Sequence, residues 1–271
     1  MKNKYGTYVL VTGASSGIGK ACAESFAGSG CHVLGVSRNI EEGLRVFENG
    51  GRLTRKKMDI TDEASIAYVL DQMPRIDICI LAAGMGIAGP AEEMPHGLVQ
   101  QQIDTNYVGT VLTGSYVLER MRKQGSGLFL VVGSIAGRVS IPMQSHYSSS
   151  KYALVAYVDA VRMEMHDLGV RACILEPGDT RTGFTSARKF YTKEGSVYTD
   201  IAERSVAKMA KDEMNGRDPS SVARVAMKLA GRKNPPARVP IGFEYKLLMF
   251  LLRFMPDRLK EWILRLMYLP R

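Results

Sequence analysis

Along the chain, short apolar runs alternate with longer amphipathic stretches. Tyr8–Thr12 (YVLVT) leads into a glycine-rich turn and then the segment Gly17–Gly28. His32–Ser37 (HVLGVS), Ile76–Leu81 (IDICIL), Leu128–Val132 (LFLVV) and Val170–Leu175 (VRACIL) repeat the pattern. Strand-length runs alternating with helix-length amphipathic segments describe βαβ units and hence a parallel sheet. Right-handed crossovers then place helices on both faces. No repeat, low-complexity tract or linker interrupts this order as far as Gly178. The expectation is an α/β chain with one doubly wound domain over 1–240 and an extension over 241–271.

Composition agrees with that size of core: 271 residues, 45% of them apolar and 23% charged, the balance of a soluble globular chain. The opening MKNKYGTYVLVTGASSG runs straight into a short apolar strand, without the long h-region and cleavage site of a signal peptide. In the tail, the longest apolar run, Leu247–Leu252, is far too short to span a bilayer. Cys22, Cys31, Cys79 and Cys173 lie far apart without a C-x-x-C pair, as expected of buried, reduced thiols in a cytoplasmic protein. His32, His96, His146 and His166 have no ligand-like spacing, so no metal is expected. The net charge of +9 suits an anionic cofactor or an anionic membrane. It is spread without aromatic interleaving or a nucleic-acid motif, which argues against nucleic acid as a partner.

The string TGASSGIG (12–19) sets Gly13, Gly17 and Gly19 between the first strand and the first helix. Glycines are needed where a tight turn brings backbone close to a pyrophosphate, whose charge the N–H groups of the helix N-terminus then hold. At the end of the second strand an acidic side chain would bond a ribose 2′-OH. Here the chain reads Ser37-Arg38-Asn39, and the planar fork of Arg38 suits a 2′-phosphate instead, which points to NADP(H).

Over roughly 5–240 the chain resembles the short-chain dehydrogenase/reductase family. The signs are TGASSGIG (with Ser15, Ser16 and Ile18 between its glycines), Asp59-Ile60 closing the third strand, DTNYVGT (104–110), VVGSIAG (131–137), Tyr147-x-x-x-Lys151 and PGDTRT (177–182). The resemblance implies a Rossmann fold and hydride transfer between the nicotinamide and a carbonyl carbon. The implied catalytic set is Ser134, Tyr147, Lys151 and Asn106. Tyr147 and Lys151, four apart at a helix start, project to one face. A free phenol has a pKa near ~10, and an adjacent ammonium is expected to lower it. In the family the lysine also bonds the nicotinamide ribose, the serine stabilises the substrate oxygen, and the asparagine holds a water against the lysine in a proton relay. The resemblance further assigns Asp59 and Ile60 to the adenine and Thr182 to the carboxamide, with Thr180, Pro177 and Gly178 beside it. Ala83 and Gly84 approach the dinucleotide, although LAAG (81–84) lacks the family's two asparagines and the strand-tying bonds they make. Ser148, Ser149 and Ser150 line the helix's first turn. The following YALVAY anchors the helix and, in the family, builds the contact of a homodimer or homotetramer.

Residues 182–217 are expected to form a substrate lid, with Phe184, Phe190, Tyr191 and Met209 as candidate wall residues. In the tail, Pro256 separates two amphipathic segments. Leu259, Trp262, Ile263, Leu266 and Met267 fall at helical spacing in the second, and six basic residues (Lys246, Arg253, Arg258, Lys260, Arg265, Arg271) face three acidic ones. Such a tail suits a substrate cover, a subunit contact, packing on the domain, or membrane association of the peripheral kind. NPPARVPIG followed by it resembles the branch acting on hydroxysteroids, retinoids and other lipophilic alcohols. The leading expectation is an NADP(H)-dependent oxidoreductase of a bulky, hydrophobic secondary alcohol or ketone. The alternatives are a 3-oxoacyl reductase of fatty-acid type and a catalytically idle NADP(H)-binding module. A sugar-nucleotide epimerase shares the Tyr/Lys pair but needs a larger substrate domain.

Overall fold

In the computed structural model, which describes residues 3–269, the apolar runs are strands; Arg271 lies outside the described residues. β1 (Tyr8–Thr12), α1 (Gly17–Ala27) and β2 (His32–Ser37) open the fold, both strands with the bounds their apolar pattern predicts. β3 (Gly43–Val46), β4 (Arg52–Lys57), α2 (Glu63–Leu70), β5 (Ile78–Leu81) and β6 (Ile87–Ala88) follow. α3 (His96–Ile103) passes through a π-helical turn, Asp104–Val108, into α4 (Gly109–Gln124). β7 (Gly127–Val132), α5 (Ser145–Glu164) and β8 (Val170–Pro177) complete the alternation. Beyond it lie α6 (Phe184–Ala187), β9 (Lys189–Phe190), α7 (Thr199–Met214), α8 (Ser220–Ala230) and β10 (Arg238–Ile241). The tail is a pair of helices, α9 (Phe243–Leu252) and α10 (Asp257–Tyr268).

Eight strands form one sheet in the order β10-β8-β7-β5-β1-β2-β4-β3. β1 is buried on both sides: Val9 and Val11 pack with α1 and α8, and Leu10 with α2, α4 and α5. That two-sided burial is why the central strands read as unbroken apolar runs rather than alternating ones. The sheet is parallel as expected except at one edge, where β3 pairs antiparallel with β4. Only a short turn separates these neighbours, and a connection that short allows only the antiparallel arrangement. β3 is exposed along its whole length, so no apolar run announces it. The strand order reverses between β1 and its neighbours β2 and β5. At such a switch point a crevice opens outside the carboxyl ends of the strands.

Candidate active site

A cleft of about 720 Å³ occupies that position. One end of it is walled by backbone. Gly13 and Gly17 have φ of +69° and +52°, the left-handed region that favours glycine. A Cβ on Gly19 would stand 2.2 Å from the Gly13 carbonyl oxygen, so only glycine lets α1 start this close to the turn. Ser15, Ser16 and Ile18 line the same end, and the Ser15 and Ser37 hydroxyls are 3.1 Å apart beside the exposed Arg38. Bare backbone converging on a helix N-terminus fits a dinucleotide pyrophosphate. Asp59 and Ile60 line the cleft, but beyond the third parallel strand rather than closing it, since β4 ends at Lys57. The Asp59 carboxylate accepts from the Thr61 N–H (2.9 Å) and hydroxyl (2.8 Å), which holds it in its own turn.

The strand-tying bonds missing from LAAG are made by another residue. Thr12 Oγ1 accepts from the N–H groups of Ala82 (3.0 Å) and Ala83 (3.2 Å), joining β1 to the end of β5. Ala83 and Gly84 line the cleft, as do Pro177, Gly178, Thr180 and Thr182.

At mid-cleft stand Ser134, Tyr147 and Lys151. Ser134 follows β7 and accepts from the Ala136 N–H (3.1 Å), which fixes its position. Tyr147 lies in the first turn of α5, with the Lys151 ammonium 5.7 Å from its ring centroid. Lys151 is buried and donates to the Val132 carbonyl at 3.1 Å. Burial pushes the Tyr147 phenol up to about 12; the Ser134 hydroxyl and the Arg188 guanidinium oppose that rise, and Glu213 adds to it. Burial likewise brings the Lys151 ammonium down to about 8. The direction is opposite to the lowering expected from the spacing: desolvation is the largest influence on Tyr147, and the Lys151 ammonium is not among the groups that shift it.

Asn106 sits in the π-helical turn, fully buried, and its hydrogen bonds go elsewhere. Its Oδ1 accepts from the Met85 N–H (2.8 Å), and its Nδ2 donates to the Met85 carbonyl (3.0 Å) and to Ser150 Oγ (3.1 Å). It faces Lys151 only across Gly84, where an added Cβ would meet Asn106 Oδ1 at 3.3 Å and Lys151 Nζ at 3.9 Å. The serines beside Tyr147 have structural roles too: Ser150 holds Asn106, and Ser148 Oγ accepts from the Ile141 N–H at 3.2 Å.

The other end of the cleft is walled by side chains. Phe184 stacks at 5.5 Å from Tyr147, tilted by 53°. Phe190 does not line the cleft: it lies on the two-stranded β6–β9 sheet with 41% of its surface exposed. Tyr191 and Met209 are likewise off the wall, Met209 being buried in α7. The wall comes instead from the tail, through Leu248, Leu252, Met255, Ile263, Leu264 and Met267. α9 is anchored by Tyr245, whose hydroxyl accepts from the Asp179 N–H and donates to the Asp179 carboxylate, both at 2.9 Å. Arg217 adds a two-pronged pair with Glu244, 2.6 Å on each arm. Lys208 of α7 lies 5.7 Å from the Tyr268 ring, which joins α10 to α7.

Two groups of polar residues escaped the sequence reading. Gln144 lines the cleft, buried, with no partner for its Nε2 among the described residues. It follows Met143, the single non-glycine residue with positive φ (61°) among those described, and strain of that kind gathers at functional sites. Glu213, also on the wall, pairs with Arg188 and accepts from Thr185 Oγ1 at 2.6 Å. The Arg188 side chain is 2% exposed, and its Nε and Nη1 have no hydrogen-bond partner among the described residues.

Three comparisons bear on this geometry. The sequence profile described as short chain dehydrogenase matches residues 7–191. A 3-ketodihydrosphingosine reductase of Bacteroides thetaiotaomicron is 34% identical over 267 residues, covering 96% of this chain and 97% of that protein. Dehydrogenase/reductase SDR family member 7B of Danio rerio is 30% identical over 239 residues, covering 83% of this chain and 74% of the relative. Among solved structures, a short-chain dehydrogenase from Streptomyces avermitilis superposes with a TM-score of 0.80 at 25% identity, covering 96% and 97% of the two chains.

Proposed function

The chain belongs to the short-chain dehydrogenase/reductase family, whose members are oxidoreductases acting on CH–OH groups with a nicotinamide dinucleotide, and on that premise we propose that it is an NADP(H)-dependent reductase of a long-chain lipid ketone. The observation that carries the substrate class is the apolar compartment that the tail walls off next to Tyr147. The relative named 3-ketodihydrosphingosine reductase, similar over nearly the whole chain, supports a long-chain 3-keto amine. Glu213 and Gln144, which line the same end, supply hydrogen-bonding groups for a polar head beside the ketone, and Arg188 pairs with Glu213.

When bound, the nicotinamide dinucleotide would supply the hydride for the carbonyl carbon. The glycine turn and the N-terminus of α1 would hold its pyrophosphate, and Arg38, Ser15 and Ser37 would receive the 2′-phosphate. Lys151 would serve the ribose, and the segment Pro177–Thr182 would serve the carboxamide. Ser134 and Tyr147 hydrogen-bond the ketone oxygen and stabilise the charge that develops on it. Tyr147 then donates its proton to that oxygen, and Lys151 stabilises the phenolate left behind. A phenol held at about 12 is protonated throughout the neutral range, the state from which reduction starts.

The test is NADPH absorbance with 3-ketodihydrosphingosine, a steroid ketone and a 3-oxoacyl thioester in parallel, repeated with NADH. The expected order puts the long-chain keto amine first, with NADPH strongly preferred. Preference for the steroid moves the substrate to the hydroxysteroid class, and preference for the thioester to the fatty-acid class. Equal rates with NADH overturn the role of Arg38, and turnover of none of the three overturns the substrate reading.

A further inference from the structure

The tail helices carry two apolar faces, and the cleft uses only one of them. On α9, Tyr245, Leu248 and Leu252 turn to the cleft, whereas Phe243, Leu247, Phe250 and Leu251 lie exposed on another side. On α10, Ile263, Leu264 and Met267 line the cleft, whereas Leu259, Trp262 and Leu266 face outward. At ~100° per residue the two sets fall on distinct sides of each helix. Phe254, between the helices, is 75% exposed and packs edge-on against Phe250 at 5.5 Å. Among the described residues of α10 none is buried, and Met249 alone is buried on α9. Large aromatic and aliphatic side chains left open to solvent along two successive helices mark a surface with a partner.

The charges beside this face are unbalanced. Glu244, Asp257 and Glu261 are each engaged by a cation of the protein, Arg217, Lys260 and Arg265 respectively. Lys246, Arg253 and Arg258 are exposed and have no ion-pair partner among the described residues. An apolar face with free cations at its margin is the composition of a helix that lies in a bilayer interface and attracts anionic headgroups. No helix among the described residues is long and apolar enough to cross a membrane, so the contact would be made in the plane of the interface.

We propose that the outer face of α9 and α10 docks on an anionic lipid bilayer. The opposite side of the same two helices forms the apolar wall of the cleft, so docking leaves one helix thickness, about 10 Å, between the bilayer and the compartment beside Tyr147. The binding itself does not depend on which ketone is reduced.

The chain contains a single tryptophan, Trp262, and it lies on this face with 59% of its surface exposed. The full chain is mixed with vesicles of phosphatidylcholine, with and without phosphatidylglycerol, and Trp262 emission is read alongside sedimentation. With phosphatidylglycerol present, the expected result is a blue shift, quenching by doxyl-labelled lipid and co-pelleting that weakens with salt. Phe254→Glu with Leu266→Glu is expected to lower vesicle affinity more than ten-fold while NADPH binding is kept. Lys246→Glu with Arg253→Glu should abolish the preference for phosphatidylglycerol. Unchanged emission and protein left in the supernatant with both vesicle types overturn the proposal. So does a dimer by light scattering in which Trp262 is already shielded and vesicles change nothing, since a second copy then covers the face. Should the glutamate variants fail to bind NADPH as folded protein, the wild-type Trp262 signal decides the matter alone.

Discussion

At its nucleotide end the cleft is built from backbone, and at its substrate end from side chains. Gly13, Gly17, Gly19 and Gly84 shape the first through what they lack, and an added Cβ on Gly13 or Gly19 would strike neighbouring backbone at under 3 Å. The second is filled by Phe184 and by leucines, isoleucines and methionines on helices that follow the last strand. Backbone is held by the sheet and tolerates no change of size. An apolar side-chain wall tolerates exchange and sets which substrate fits. The two ends meet at Tyr147 and Lys151, where a half-buried tyrosine and a buried ammonium face each other.

The largest effect is expected where the ends meet. Tyr147→Phe should lower kcat by about 10²–10⁴-fold, the range for loss of a positioned general acid, with NADPH affinity unchanged by fluorescence titration. A parallel loss of NADPH affinity would mean that Tyr147 belongs to the nucleotide end. Next comes Gly19→Ala. Its Cβ would stand 2.2 Å from the Gly13 carbonyl oxygen, and overpacking of about 1–3 kcal/mol should appear as weakened NADPH and NADH binding alike.

Arg38→Ala divides the nucleotide end more finely. A hydrogen bond to a charged group is worth about 1.5–3 kcal/mol, so NADPH affinity should fall roughly ten- to hundred-fold while NADH affinity holds. Leu252→Ala with Ile263→Ala tests the opposite end. Removing apolar wall at ~0.8 kcal/mol per buried CH₂ should raise KM for a long-chain ketone several-fold and leave NADPH affinity alone. If this pair weakened NADPH binding instead, the tail would belong to the nucleotide end and the division would fail.

The smallest effect concerns stability. Burial lowers the Lys151 ammonium from 10.5 to about 8. Between those values the unfolded chain binds the proton and the folded one does not, so stability rises with pH across that window. Below about 8 the buried charge is a constant cost. Lys151→Met should therefore raise the Tm of the dinucleotide-free protein at pH 7, with the gain shrinking towards pH 10.5. A gain that grows with pH would place the lysine in a different environment.

The two ends also differ in how far the sequence reveals them. Gly13, Gly17 and Gly19 lie within seven residues, and Tyr147 and Lys151 within one helical turn, so each motif is legible locally and the family resemblance that implies their chemistry rests on them. The substrate wall depends on α9 and α10 folding back over residues far earlier in the chain, and the amphipathic pattern of the tail leaves its partner open. Phe190 sits six residues from Phe184, yet its pairing through β9 with β6 carries it off the wall. The π-helical turn that buries Asn106 has no periodic signature, and neither does the exposed strand β3. The direction of the Tyr147 shift could not be read from spacing either, because it depends on burial from every side.

The central claim is that hydride and proton reach a lipid ketone at the junction marked by Tyr147. Its most direct test is a single turnover of 3-ketodihydrosphingosine with NADPH carrying deuterium at the transferred position of C4, and mass spectrometry of the product. Wild-type protein is predicted to give an alcohol one mass unit heavier at the carbinol carbon. Tyr147→Phe protein, saturated with the same NADPH, is predicted to give almost none. Deuterated alcohol formed by the variant at the wild-type rate would contradict the account.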